Sequence, residues 1–160
     1  MPVITTILVP TDFSEASGHA LRYACGLAEA LGASIHVLHT VEMVHIAAGY
    51  MELYPPPQEY FDELEKAARS NLAATLTAEA TERFRAAFVL RSGSPAQEIL
   101  VYLKEHSEVD LVVMATHGRG GVARLMMGSV ADKVVRAARC PVLTVREVEG
   151  ALAGQVDHAA

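Results

Sequence analysis

Five short apolar runs, rich in β-branched residues, alternate along this chain with segments whose apolar residues recur at helical spacing, and this alternation restricts the fold more than any other feature. The first run, Val3 to Val9, is apolar or β-branched throughout and stops at Pro10-Thr11-Asp12. A strand of that kind belongs in the interior of a sheet covered on both faces. Ser34 to Val41, Ala86 to Arg91, Val109 to Ala115 and Pro141 to Val145 read as four further strands. Strands separated by helices pair in parallel through right-handed crossovers. The chain is therefore expected to form a single doubly wound α/β domain, with a five-stranded parallel sheet and helices on both faces.

The helices carry end signals. Ser14 stands at an N-cap position before Ala20, Leu21, Ala24, Leu27, Ala28 and Leu31, and Gly32 stops the run. A second helix is expected from about Gln58 to Thr81, with Phe61, Leu64, Ala68, Leu72 and Leu76 on one face. Gly93-Ser94-Pro95-Ala96-Gln97 supplies a turn glycine, an N-cap serine, a proline at the first helical position and the glutamine of a capping box. Ser129 and Asp132 have capping-box spacing before Val130, Val134, Val135 and Ala138. Glu42 to Pro57 is long for a connection in a compact domain, and is expected to act as a lid beside the end of the second strand. Residues 1–147 are expected to form the domain. Residues 148–160 are expected to be a frayed tail, since the Ala/Gly-rich end has no apolar periodicity.

With 160 residues, 51% of them hydrophobic, the domain can bury a continuous core without staples. Cys25 and Cys140, lone and far apart, read as small core residues rather than a disulfide or a thiolate metal site. No window approaches the roughly 18 apolar residues of a membrane span, and no basic region precedes an apolar run at the N-terminus, so no membrane partner and a cytoplasmic location are expected. A net charge of −6 leaves no basic footprint for a long nucleic acid. A small anion held by backbone amides at a helix end remains compatible with that charge.

In an open parallel sheet, ligands bind outside the carboxyl ends of the strands, where strand order reverses. The residues there are Pro10-Thr11-Asp12, Thr40-Val41, Gly93, and Ala115-Thr116-His117-Gly118-Arg119, which runs through a glycine-rich stretch to Gly128-Ser129 at a helix start. Free amides and the helix dipole at that start favour a phosphate.

These residues carry a resemblance. Pro10-Thr11-Asp12-Phe13-Ser14, Gly93-Ser94-Pro95, and Ala115-Thr116-His117-Gly118 with nine residues before Gly128-Ser129 resemble the universal stress protein family over about residues 3 to 146. The resemblance implies strand order 3-2-1-4-5 and an adenine nucleotide, ATP or ADP or AMP, with Mg²⁺. It implies Asp12 on the ribose, Pro10 and the Thr40 backbone near adenine, and Gly118, Arg119, Gly128, Ser129 and Val130 around the phosphates; with Thr11, Val41, Met114, Ala115 and His117 these thirteen residues are the expected lining. One residue departs from the family pattern Gly-x2-Gly-x9-Gly-(Ser/Thr), because Ala115 stands at its first glycine. A methyl group there is unfavourable if the position needs positive φ or touches a phosphate, and harmless with ordinary strand-end dihedrals. The resemblance also implies a homodimer through antiparallel pairing of the last strand, Val142 to Val145, an apolar edge that needs covering.

Other chemistry finds less support. His36 and His39 fall on opposite faces of a strand, with no cysteine nearby, so no metal is expected on protein side chains alone. Gly118-x-Gly120-x-x-Ala123 fits a dinucleotide fingerprint, but it follows the fourth strand rather than the first and would put Gly128-Ser129 inside its helix. The phosphate-loop lysine pattern is absent, as is a Ser-His-Asp or Cys-His order at strand ends, so no catalytic residue is expected. The leading expectation is a nucleotide-binding stress-response regulator with slow or no hydrolysis, at most a weak ATPase or self-phosphorylating protein. The alternative is a dimeric scaffold of the same fold that binds no nucleotide, motivated by Ala115 and the acidic surface.

Overall fold

A computed structural model describes residues 3–42, 58–117 and 127–146. In chain order the elements are β1 (Thr6–Pro10), α1 (Glu15–Leu31), β2 (Ser34–Val41), α2 (Gln58–Ala73), α3 (Ala78–Arg83), β3 (Ala87–Ser92), α4 (Pro95–Glu105), β4 (Leu111–Ala115), α5 (Ser129–Ala137) and β5 (Val142–Val145). The strands form one sheet in the order β3-β2-β1-β4-β5, with every pairing parallel. The doubly wound architecture and the expected order are both present.

Two cores form, one on each face of the sheet. Ile7, Val9, Ile35 and Val37 pack with Ala20, Ala24 and Ala28 of α1 and Leu72 of α2. Leu8, Leu38 and Val112 pack with Ile99, Tyr102 and Leu103 of α4 and with Ala131 and Val134 of α5. Strand residues alternate between these cores with a period of two, which is why the central runs are apolar at successive positions. Cys25 packs against the first core and Cys140 against the second, so they lie on opposite sides of the sheet. Burial pushes the Cys25 thiol up to about 11, as suits a packing residue.

Several boundaries differ from expectation. Val3 is 73% exposed and β1 begins only at Thr6, because the Thr5 N–H is taken by the Asp110 carboxylate at 2.8 Å. The single helix expected to run to Thr81 is two helices. The Thr75 hydroxyl donates to Leu72 O at 2.7 Å, and Thr77 N-caps α3 by accepting from Ala80 N–H at 3.1 Å. Threonine hydroxyls compete for backbone groups in this way, and the helix breaks between them. Ser94 flanks α4 as expected but makes no side-chain cap. Ser14 does cap α1, accepting from Ser17 N–H at 3.2 Å, and Gly32 closes that helix in the left-handed region at φ 68°. The lid expected within Glu42 to Pro57 and the tail 148–160 lie outside the described residues, except Glu42 itself.

The end of the sheet away from the expected site is tied by charge. Asp110 Oδ2 accepts from Thr5 N–H and the Thr5 hydroxyl, both at 2.8 Å, and from Thr6 N–H at 3.3 Å. These bonds, led by the Thr5 amide, hold the carboxyl below its ordinary value. A lowered folded-state value means that the stabilisation is present above the ordinary carboxylate range and is lost as pH falls through the folded value. Asp110→Ala should lower stability at pH 7 by about 1–3 kcal/mol, the range for charged hydrogen bonds. It should also flatten the acid limb of the stability curve in urea unfolding followed from pH 7 to pH 3.

Candidate functional site

Sheet order reverses between β1 and β4, and a cavity of about 740 Å³ opens above their carboxyl ends. Eleven of the thirteen expected residues line it: Pro10, Thr11, Asp12, Thr40, Val41, Met114, Ala115, His117, Gly128, Ser129 and Val130. Gly118 and Arg119 lie outside the described residues. Residues more than a hundred positions apart thus meet because three parallel strands end at one edge.

The β1 wall is a rigid turn. Thr11 N–H donates to Leu38 O at 2.8 Å, and its hydroxyl lies 3.0 Å from the buried Ser17 hydroxyl. Asp12 Oδ1 accepts from Ser14 N–H at 3.0 Å and from the Ser14 hydroxyl at 2.5 Å, so the carboxylate is anchored at the start of α1. Asp12 therefore holds the N-cap residue Ser14 and lines the cavity at once.

The β4 wall is set by close backbone contact. Gly128 N–H donates to Thr116 O at 2.7 Å, and a Cβ on Gly128 would lie 3.1 Å from that same oxygen. Gly128 has φ −62°, so its glycine is explained by proximity and not by a left-handed backbone. Ala115 ends β4 opposite Val145 and is not among the residues with positive φ. Its ordinary dihedrals remove the conformational objection to alanine at that position.

The start of α5 departs from expectation. Gly128, not Ser129, is the N-cap, and no side chain caps the helix. Ser129 is the first helical residue, and Asp132 turns away to pair with Arg136 at 2.9 Å instead of closing a capping box. An i,i+4 ion pair has taken the carboxylate. Among the described residues the first-turn amides have no side-chain cap, at the positive end of the helix dipole and at the rim of the cavity.

Two lining residues hold unsatisfied polar atoms. Thr40 Oγ1 and His117 Nε2 are buried and have no hydrogen-bond partner among the described residues. The other His117 nitrogen, Nδ1, lies 2.9 Å from the Thr116 hydroxyl. Each such atom costs about 1–3 kcal/mol, and native proteins retain few of them.

Sequence reasoning missed part of the wall. Phe13 and His39 line the cavity, as do Leu64, Ala67, Ala68 and Asn71 of α2, and Pro95 and Ile99 of α4. Leu64 shared the apolar periodicity of the core, yet it is 36% exposed at the cavity while Ala68 and Leu72 are buried. Periodicity identifies an apolar face without saying whether it meets protein or a cavity. His36 and His39 separate as expected: His36 Nδ1 meets the Tyr102 hydroxyl at 2.9 Å, whereas His39 Nδ1 meets Thr11 O at 2.8 Å. No cluster of three metal-ligating side chains occurs among the described residues.

The model of the universal stress protein family matches residues 4–146. The chain belongs to the universal stress protein family. A universal stress protein of Thermus aquaticus is 37% identical over 144 residues, covering 88% of this chain and 98% of that protein. The solved structure of universal stress protein UspA from Lactobacillus plantarum superposes with a TM-score of 0.70 at 27% identity, covering 91% of this chain and all of that one. The universal stress protein from Archaeoglobus fulgidus in complex with dAMP shares the fold, with a TM-score of 0.58, 20% identity and coverage of 89% of this chain and 98% of that one. In this universal stress protein no helix among the described residues is long and apolar enough to cross a membrane.

The orphaned Thr40 hydroxyl gives a direct test of the site in the ligand-free chain. Thr40→Val keeps the shape and removes an unsatisfied group, so it should raise stability by about 1 kcal/mol, an increase of about 2–4 °C in Tm for a domain of this size. A thermal melt without ligand measures it.

Proposed function

We propose that this universal stress protein is an adenine-nucleotide-binding regulator that holds ATP, ADP or AMP, with Mg²⁺ carried on the phosphates, and hydrolyses slowly or not at all. The observation that supports this most is the coincidence, in one cavity, of a helix N-terminus without a side-chain cap and two buried polar atoms that lack partners among the described residues. A ligand with a phosphate at one end and a polar base at the other would satisfy both. The dAMP complex of the Archaeoglobus fulgidus relative supports the choice of an adenine nucleotide.

In this reading the triphosphate lies along the β4–α5 rim. The amides of Ser129 and Val130 and the Ser129 hydroxyl donate to it, together with Gly118 and Arg119. His117 Nε2 gains a phosphate oxygen as its partner. Asp12 takes the ribose hydroxyls, and adenine sits between Pro10 and the end of β2 at Thr40 and Val41, with Leu64 of α2 covering one face. Binding shifts the populations of conformations or partners rather than driving chemistry. A role in stress response and a cytoplasmic location follow from the family reading.

Isothermal titration with ATP, ADP and AMP in Mg²⁺ tests the proposal. Saturable binding near one nucleotide per chain is expected, weakened at least about tenfold by Asp12→Ala, the loss of one charge-assisted bond. Heat that does not saturate with any of the three at millimolar ligand contradicts it and leaves a scaffold that binds no nucleotide. Thr40→Val should weaken binding while stabilising the empty chain, a pairing of opposite signs that a purely structural threonine would not give.

The same reading includes a homodimer formed through β5. Pro141 O and Val145 O are taken by Val112 N–H of β4 and by Thr116 N–H just past its end, so the backbone groups of Val142 and Thr144 point to the open edge. Sedimentation equilibrium should give the mass of two chains, and Thr144→Pro, which removes an outward donor, should give one. A single-chain mass for the native protein at micromolar concentration contradicts the dimer.

A further inference from the structure

The turn that carries Asp12 is held in a conformation it would not adopt alone. Phe13 has φ 62°, in the left-handed region that bulky residues rarely occupy. Such a residue persists only where its surroundings impose it, and residues of this kind cluster at ligand sites. Here the imposing contacts come from β2. Thr11 N–H donates to Leu38 O at 2.8 Å, and on the other side of the same residue His39 Nδ1 meets Thr11 O, also at 2.8 Å. The His39 ring lies against the Phe13 ring, centroid to centroid 4.2 Å. The Thr11 hydroxyl accepts from Phe13 N–H at 3.1 Å and closes the turn from within. A carbonyl oxygen only accepts, so His39 is protonated at Nδ1.

We infer that His39 is a positioning residue for nucleotide recognition: through the Thr11 carbonyl it fixes Asp12 relative to the end of β2, so that sugar and base are read in register. This rests on the proposed adenine-nucleotide site. Both Phe13 and His39 face that cavity, and His39 immediately precedes Thr40 on the strand whose end flanks the base. Asp12 follows Thr11 directly, and its carboxylate is bound to Ser14 at the start of α1. Releasing the Thr11 carbonyl lets Phe13 leave the left-handed region, which turns the Asp12 carboxylate away from the sugar while the phosphate rim at α5 stays intact. The effect of His39 that runs through Asp12 is read at the ribose hydroxyls.

The test compares ATP with 2′,3′-dideoxy-ATP, both with Mg²⁺, by calorimetry on the native chain, His39→Leu and His39→Asn. The native chain should prefer ATP by about tenfold or more, the size of a charge-assisted hydrogen bond. His39→Leu should bring the two ligands to within about threefold of each other, a residue of well under one such bond, with the dideoxy affinity unchanged. His39→Asn, whose amide nitrogen occupies the place of Nδ1, should restore the preference. If His39→Leu keeps the native ratio, or loses both ligands equally, the inference is overturned and the nucleotide site stands. A native chain without preference also overturns it, and one that binds neither ligand overturns the proposed function as well. Long-range proton–nitrogen spectra of the native ring test the clamp even if His39→Leu does not fold: a proton on Nδ1 is expected, and a ring protonated at Nε2 alone overturns the inference.

Discussion

Everything at the site depends on β1 being paired on both sides, with β2 on one edge and β4 on the other. Thr6 to Val9 are buried at every position, so the strand has no exposed face along which to slip. Its register fixes where Pro10 and Thr11 emerge, and the parallel neighbours end at the same edge. Crossover helices then cover the faces, and the cavity opens where the carboxyl ends of the strands emerge. The cavity is a consequence of topology before any polar residue is considered.

Polar detail is then added where the topology leaves room, at some cost to the empty chain. Among the described residues the first turn of α5 has no side-chain cap, Thr40 Oγ1 and His117 Nε2 lack partners, and Phe13 has a left-handed backbone. Each lowers stability by itself, and all of them border one cavity. Away from the cavity Arg85 also has a positive φ, of 46°, but no other buried side-chain polar atom among the described residues lacks a partner. Arg139 donates to the carbonyls of Leu103, His106 and Val109, and Asp110 collects three donors at the opposite end of the sheet. Buried polar atoms without described partners that both border one cavity, beside a turn whose own polar groups are bonded, are what pre-organisation for a ligand looks like in a ligand-free fold.

Much of this was legible in the residues. The double-faced apolar runs give the parallel sheet, and Pro10-Thr11-Asp12 and Gly128-Ser129 mark strand and helix ends that meet in space. The capping roles were less legible, since Ser129 and Asp132 have the right spacing and the structure spends the aspartate on Arg136. Competition between an N-cap and an i,i+4 pair is decided by geometry that spacing does not encode. The α2 wall was hidden because Leu64 shares its period with Ala68 and Leu72. His39 was hidden for a different reason: its partner is a backbone carbonyl 28 residues away, and no residue type announces such a bond.

The central claim is that the ends of β1, β2 and β4 and the start of α5 form one adenine-nucleotide site. Amide proton–nitrogen spectra recorded while ATP and Mg²⁺ are added test both the binding and its place. The account predicts saturable shifts at Asp12, Thr40, Val41, Ser129 and Val130 in a single process, with Arg83 to Arg85 on the far side of the molecule unmoved. Shifts confined to other residues, or none at millimolar ATP, would contradict it.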